Sequence, residues 1–379
     1  MKLELFLDNS LLEARENVHL SLPSPSIEAT NLILNEKNAY FTILKDNGSY
    51  RLYFKETLKA ERPILDEVTK MASSEDGLLF SRPQTVLHGT MSHNFYPVKH
   101  QDHYLGIGGY HSEEYPGYEG VFLYGSEDGI RWDEVRFLFN RANTCVSRDA
   151  SIACCDCLNN MIFDGEKFVF FLRYNLARGV RRIQTCSSKD LVHFTAPQMI
   201  RFLNFDMPEE LGTYTPTISR FPGSNFFVGL PTLQAGNDRP TKHPGLIFSR
   251  DGLHWTMLST DYLSQFQRPC TAVAGIHSSD RNTYLNVHEN STLFRLKYRK
   301  DGISCLNGSA GYIRTKPVHL SKLVVNYSGE LEVQLGNGLH TIRHTLNGDQ
   351  LAHEIVVDEG EYSIQFTFKG ASLYSMQYS

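Results

Sequence analysis

Four polar side chains stand at the same distance from four turn signals, and their types suit the recognition of hydroxyl groups. Eight residues before each of five hairpin markers (Asp46, Asp102, Asp164, Gly223 and Asp280) lie Asn38, Asn94, Asp156, Thr215 and Ala272. Four of these five are polar, in stretches otherwise built from Phe, Ile, Val and Leu. Asn and Asp both engage adjacent hydroxyls, Asn as donor and acceptor and ionised Asp as a double acceptor. A ring of two Asn and one Thr around one carboxylate therefore suits a neutral, hydroxyl-rich ligand. Tyr40, His93, Asn159 and Tyr214 flank the ring positions in sequence and join them as candidate binding residues.

The elements that must position this ring repeat along the chain. Cys154 to Pro197 holds one complete unit: a short strand into Met161-Ile162-Phe163, the turn Asp164-Gly165, a Phe- and Val-rich strand to Tyr174, a third strand over 182–187, and a fourth opened by His193-Phe194. Asp-Gly is a strong hairpin signal because it tolerates positive φ at the turn centre. A second punctuation mark, Ser-x-Asp followed by Gly or Leu, recurs at Asp76, Asp128, Asp190 and Asp251, with a weaker copy at Asp301. Both ladders keep the same phase, with steps of about 50 to 62 residues, which predicts a five-bladed β-propeller of four-stranded blades. In such a fold the first strand of each blade lines the channel, and ligands gather where those strands begin. The Ser-x-Asp residues are expected to bond to backbone in their own turns, with Trp132, Phe194 and Trp255 packing between blades.

The predicted fold class is all-β. Residues 1–310 form the propeller, including an N-terminal segment 1–30, and residues 311–379 form a small C-terminal β-sandwich with turns at Ser328-Gly329 and Asn347-Gly348. Glu56 to Val68 is the best candidate for a loop with helical content. The 379 residues, 41% hydrophobic and 12% aromatic, suffice for a large core. A net charge of -5 without a basic stripe gives no reason to expect nucleic acid, and no apolar run approaches a membrane span. The N-terminus carries charges where a signal peptide needs its apolar centre. Seven cysteines cannot all pair within one chain, so free thiols and a reducing compartment are expected. Cys154, Cys155 and Cys157 lack a second ligand pair at finger spacing, so neither a metal nor another cofactor is expected.

The segment SSKDLVHFTAP is similar to the blade-ending motif of the five-bladed glycoside hydrolases, the group of invertases, arabinanases and β-xylosidases. A closer resemblance, over almost the full chain, is to an uncharacterised family of predicted glycosyl hydrolase-like proteins common in planctomycetes and related bacteria. It rests on LFLDNSLLE (Leu5 to Glu13), Glu67-Val68-Thr69 running into MASSEDG, and Ser92-His93-Asn94-Phe95. Further matches are Cys155-Asp156-Cys157-Leu158-Asn159, Glu209-Glu210-Leu211-Gly212-Thr213-Tyr214, Arg295 to Gly302, and Thr315-Lys316-Pro317. The chain departs from that pattern at Asn9, where the family has a second Asp, and at Cys157-Leu158, where it has Ser-Gln. Arg148-Asp149-Ala150 is a partial echo of the invertase Arg-Asp-Pro motif.

The resemblance implies a glycoside hydrolase acting on a poly- or oligosaccharide at the channel mouth. That reaction needs one carboxyl to protonate the leaving oxygen and another to act as nucleophile or base. The implied carboxyls are Asp156 and Glu210, with Glu67 as a third whose alternative is a surface carboxylate beside Lys70. Glu210, preceding its strand, is expected to be the acid, and Asp156 the nucleophile, base or positioning group. His93 and Thr213 join the expected substrate contacts, and Arg173 is expected to hold Asp156 ionised. A carbohydrate-binding propeller without catalysis and a purely structural scaffold are the alternatives. A sialidase fits less well, because its Asp-box has a different spacing and its three clustered arginines are not visible.

Overall fold

The computed structural model describes all residues except 36–37, 59–65, 90–91, 110–119, 140–154, 178–179, 236–243, 265 and 267–269. The chain is all-β, of β-propeller type, with no α-helix among the described residues. Strands Asn38–Asp46, Ser49–Thr57, Glu67–Ser74 and Gln84–His88 pair antiparallel in sequence order. Their first turn has the mirror-image form that matches strand twist, with Asn47 at φ 49° and Gly48 at φ 87°. A second array runs from Tyr96–His100 through His103–Gly108 and Val121–Ser126 to Asp133–Phe139. The third comprises Asn160–Phe163, Phe168–Ala177, Val180–Ser188 and Gln198–Met199.

The fourth array comprises Ile218–Arg220, Phe227–Gly229, Leu246–Ser249 and His254–Ser259, with Arg201–Phe202 added parallel at its edge. In the fifth, Thr271–Ser278, Asn282–Glu289 and Thr292–Arg299 are completed by Ser26–Ile33 from near the N-terminus. The first strand of each array neighbours the first strand of the next, and Ala274 pairs with Thr42 to bring the fifth array back to the first. Of the ring positions, Asn38 and Ala272 lie in these first strands, while Asn94, Asp156 and Thr215 precede theirs.

Turn chemistry at the outer corners is as the sequence implies. Asp76 Oδ1 accepts the backbone N–H groups of Leu78 and Leu79, both at 2.8 Å, while the Ser74 hydroxyl accepts that of Gly77. Asp128, Asp190 and Asp251 bind the same two backbone positions. Asp301 does not: it is buried, its N–H donates to Thr283, and its carboxyl meets the Gln377 amide at 3.5 Å. Aromatic rings fill the gaps between arrays. Trp255 is fully buried against Phe171, Trp132 packs on Phe95 and Tyr53, and Phe194 on Phe139 and Phe170.

The C-terminal sheet departs from expectation in two ways. Val318–Gly336 is one long strand flanked antiparallel on both sides: Leu323 stands opposite Ile355 and also opposite Tyr378. Ser328-Gly329 and Asn347-Gly348, expected to be turns, lie within this ladder with Gly329 facing Gly348. Their φ values of 90° and 98° bend the strands without reversing the chain. The reversal comes at 337–340, where Asn337 Oδ1 caps the N–H groups of Leu339 and His340. In addition, Lys2–Glu4, Leu12–Glu16 and His19–Ser21 pair with this sheet, so the N-terminal segment serves both the sheet and the fifth array. The expected helical content of Glu56 to Val68 is also absent at its ends: Glu56 pairs with Val68 and Thr57 with Glu67 as strand residues, and 59–65 lie outside the described residues.

Candidate functional site

At the inner ends of the first three arrays, five ionisable side chains alternate in charge. Glu67, at the start of a third strand, is 2% exposed. Because Thr57 and Glu67 pair as the last rung of the hairpin, its side chain comes beside Lys55 on the neighbouring strand, with Lys55 Nζ 2.8 Å from Oε1. His93, in the turn leading to Tyr96, places Nδ1 2.5 Å from Glu67 Oε2 and Nε2 3.0 Å from Asp156 Oδ1. Asn94 Nδ2 reaches the same Asp156 oxygen at 3.4 Å, and Arg173 Nη2 lies 3.4 Å from Oδ2. The chain Lys55–Glu67–His93–Asp156–Arg173 thus runs from a buried carboxylate to one whose side chain is 31% exposed.

The Asp156 loop is held from below. Cys155 N–H donates to Arg173 O, and Asn159 clamps both strands by donating to Cys155 O at 2.6 Å and accepting from Arg173 N–H at 3.0 Å. Asn159, expected to meet substrate, is buried and commits its amide to this backbone clamp. The loop and the residues near the ring positions Asn38 and Thr215 include left-handed non-glycine residues: Cys155 at φ 62°, Tyr40 at φ 56° and Thr217 at φ 46°. Each such residue costs on the order of 1–3 kcal/mol and persists only where its surroundings fix it, a pattern that clusters at ligand sites.

Charge states follow from the contacts. Burial opposes ionisation of Asp156, but the His93 hydrogen bond, the Arg173 charge and Asn94 outweigh it and hold the carboxyl well below its ordinary range. Burial likewise opposes charge on His93, and the hydrogen bonds to Asp156 and Glu67 overcome it and raise the imidazole above its ordinary value. Burial raises the Tyr40 and Tyr214 phenols, whose oxygens lie 2.7 Å apart, so both stay protonated at neutral pH.

These shifts fix a pH dependence. Protonated His93 is favoured in the folded chain, so its share of stability is complete below the unfolded imidazole's titration near pH 6.5 and is lost as pH rises through the higher folded midpoint. Asp156 contributes above the unfolded carboxyl range and loses that share only as pH falls through its depressed folded value. His277, buried and neutral with its pKa pushed down to about 4, removes stability as pH falls from about 6.5 toward 4. Imidazole resonances followed by NMR are expected to show His93 titrating above pH 6.5 and His277 well below it. A His93 midpoint at or below the ordinary value contradicts the paired geometry.

Beside the cluster opens a cavity of about 470 Å³. Asn38, Tyr40, Tyr214, Thr215 and Ala272 line it, so three ring positions meet there while Asn94 and Asp156 lie in the ion cluster. The Tyr40 ring stands edge-on to His93 at 6.0 Å and carries Lys55 Nζ 5.0 Å above it. Tyr214 faces Arg173 and Arg181, at 5.9 and 4.8 Å. Asn38 Oδ1 accepts the N–H of Asn35.

Two expected residues lie elsewhere. Glu210 is exposed in the turn before Leu211–Thr213 and takes no part in the cluster. Thr213 is buried in that short strand, opposite Leu233, and borders a different groove with Arg182 and Met199. Glu67 is no surface carboxylate beside Lys70, which instead pairs with Glu56. Sequence reasoning missed Lys55 and the Tyr40–Tyr214 bridge. Lys55 stands opposite Ala39 in the ladder, between ring residues Asn38 and Tyr40, so the strand register was the signal that could have found it.

Among the described residues no group of three His, Cys, Asp or Glu is placed to hold a metal ion. Cys155, Cys157, Cys186, Cys270 and Cys305 are buried free thiols, and burial pushes those of Cys157, Cys186 and Cys270 up to about 12. Cys145, Arg148, Asp149 and Cys154 lie outside the described residues.

No family model matches the chain and no curated protein does, so the likeness to the planctomycete-type family rests on the quoted segments alone. Solved structures are similar at low identity. An exo-β-1,3-galactanase from Phanerochaete chrysosporium, crystallised as a variant with β-1,3-galactotriose, is 11% identical with a TM-score of 0.47, covering 93% of this chain and 99% of that one. A family 43 arabinoxylan arabinofuranohydrolase from Bacillus subtilis is 10% identical with a TM-score of 0.45, covering 92% and 96%. The catalytic domain of a Coprinopsis cinerea family 62 α-L-arabinofuranosidase is 10% identical with a TM-score of 0.48, covering 72% and 97%. Likenesses this distant assign neither residue roles nor a substrate.

Proposed function

We propose that this protein is a glycoside hydrolase-like propeller that binds an oligosaccharide at the channel mouth, with Asp156 as the ionised carboxylate at the reacting centre. The observation that carries this reading is the Glu67–His93–Asp156 chain, ending in a partly exposed carboxylate beside a cavity walled by tyrosine and threonine. An anion held by His93, Asn94 and Arg173 suits a nucleophile, a base, or an acceptor for sugar hydroxyls, and it cannot serve as the proton donor. His93, 3.0 Å from Asp156 and with its imidazole raised above its ordinary value, is the candidate proton source beside it. In this reading the five arrays are the blades of one closed propeller spanning residues up to about 310. Residues 311–379 form an appended sandwich that the N-terminal strands join.

A second reading, carbohydrate binding without cleavage, is favoured by one specific observation. Both carboxylates of the cluster are engaged by cations, and Glu210, the expected acid, stands outside it. Incubation with a library of plant, algal and microbial oligosaccharides, followed by product analysis and parallel glycan-array binding, separates the two. We expect release of a shorter sugar from at least one array ligand. Array binding with every ligand recovered intact selects the binding module, and an array blank across all glycans removes both readings.

A further inference from the structure

We propose that the cavity beside the Asp156 cluster receives an acidic substituent of the bound sugar, a carboxylate or a sulfate ester, with Lys55 as its counter-charge. This rests on the carbohydrate reading of the mouth and names its substrate class, one that sequence reasoning, which expected a neutral ligand, did not foresee.

Of the described residues that line the cavity, Lys55 alone is charged, and no carboxylate is among them. An ammonium on a cavity wall, with its side chain only 13% exposed, is costly to desolvate unless an anion meets it. Glu67 supplies only part of that need. It binds one of the three ammonium protons at 2.8 Å, and it is already compensated by His93 at 2.5 Å and by the Thr57 hydroxyl at 3.4 Å. Among the described residues, Lys55 and Arg173 flank the Glu67–His93–Asp156 chain, and Arg181 adds a further cation against Tyr214. Among the described residues of the cluster and its Tyr214 wall, the three cations Lys55, Arg173 and Arg181 thus outnumber the two carboxylates Glu67 and Asp156, in a protein whose overall net charge is -5.

The remaining wall suits the body of a sugar. Thr217, Thr215 and Thr232 form a hydroxyl ladder, with the last two 3.0 Å apart. On the same wall His288 presents a buried Nε2 that has no hydrogen-bond partner. A polar atom left so is a candidate contact for a ligand oxygen. The volume of about 470 Å³ lies in the range of small-ligand sites.

The test is binding calorimetry on the full chain with matched pairs. One set comprises oligosaccharides containing glucuronate or galacturonate and the same sugars after carboxyl reduction; the other comprises sulfated oligosaccharides and their desulfated forms. The expected result is that the acidic member of one pair binds roughly tenfold or more tighter, as a charge-assisted contact implies. The preference should persist in Lys55→Arg and vanish in Lys55→Gln. Because the wild-type comparison needs no variant, poor folding of Lys55→Gln does not rescue the idea. Equal affinity within every pair overturns the acidic-group proposal and leaves the carbohydrate reading standing; a preference that survives Lys55→Gln overturns Lys55 as the counter-charge. Absence of binding by any member overturns both.

Discussion

Asp156→Asn is expected to lower turnover, or glycan affinity if no bond is cleaved, by roughly a hundredfold or more, the usual loss when a positioned acid-base group is removed. The substitution keeps shape and removes the anion that His93 Nε2 and Arg173 Nη2 both face. Arg173, only 4% exposed at its side chain, then loses its ion pair with Asp156, so a loss of stability accompanies the loss of function. Circular dichroism and thermal melts separate the two: a folded variant with ordinary activity removes Asp156 from the reacting centre.

The second large effect concerns Glu67→Gln, for which a loss of roughly 3 kcal/mol in unfolding free energy is expected, since removing one partner of a buried ion pair leaves the other charges uncompensated. Glu67 is 2% exposed and lies between Lys55 and His93, so the amide removes the anion that both of them face there. The His93 titration should move down at the same time, because one of the hydrogen bonds that raises it is gone. Denaturant unfolding checks the first effect and NMR titration the second. A change within about 0.5 kcal/mol, typical of a surface position, contradicts the buried network.

Much of the propeller was legible because its punctuation is local. A Ser-x-Asp turn satisfies backbone donors two and three residues ahead, so the motif reports its own geometry at Asp76, Asp128, Asp190 and Asp251. At Asp301 the sequence looks similar, yet the side chain turns toward Gln377 and is buried, and only the tertiary contact decides that. Counting back from the hairpins brought Asn94 and Asp156 to one cluster with their neighbour His93, because all of them sit just before the inner strands of adjacent arrays.

The same logic failed where a strand is not an inner one. Leu211–Thr213 pairs with Leu233–Ala235 instead of joining the fourth array, so Glu210 is carried into an exposed turn. Glu67 had a surface carboxylate beside Lys70 as its alternative; pairing of Thr57 with Glu67 at the end of the hairpin and a bridging imidazole bring it into the cluster. At the C-terminus, Gly329 and Gly348 have the composition of turns and the positive φ of turns, but pairing on both flanks makes them bends. The partnership of Lys2–Glu4 with Met376 to Tyr378 spans nearly the whole chain, and no periodicity announces it.

The most direct test of the central claim is a crystal structure of the protein with an oligosaccharide identified on the array. The expected density places a sugar hydroxyl within hydrogen-bond distance of Asp156 Oδ2, with the ring against Tyr40 and Tyr214 in the cavity they line. A glycan seated only on the C-terminal sheet, with the channel mouth empty, contradicts the account.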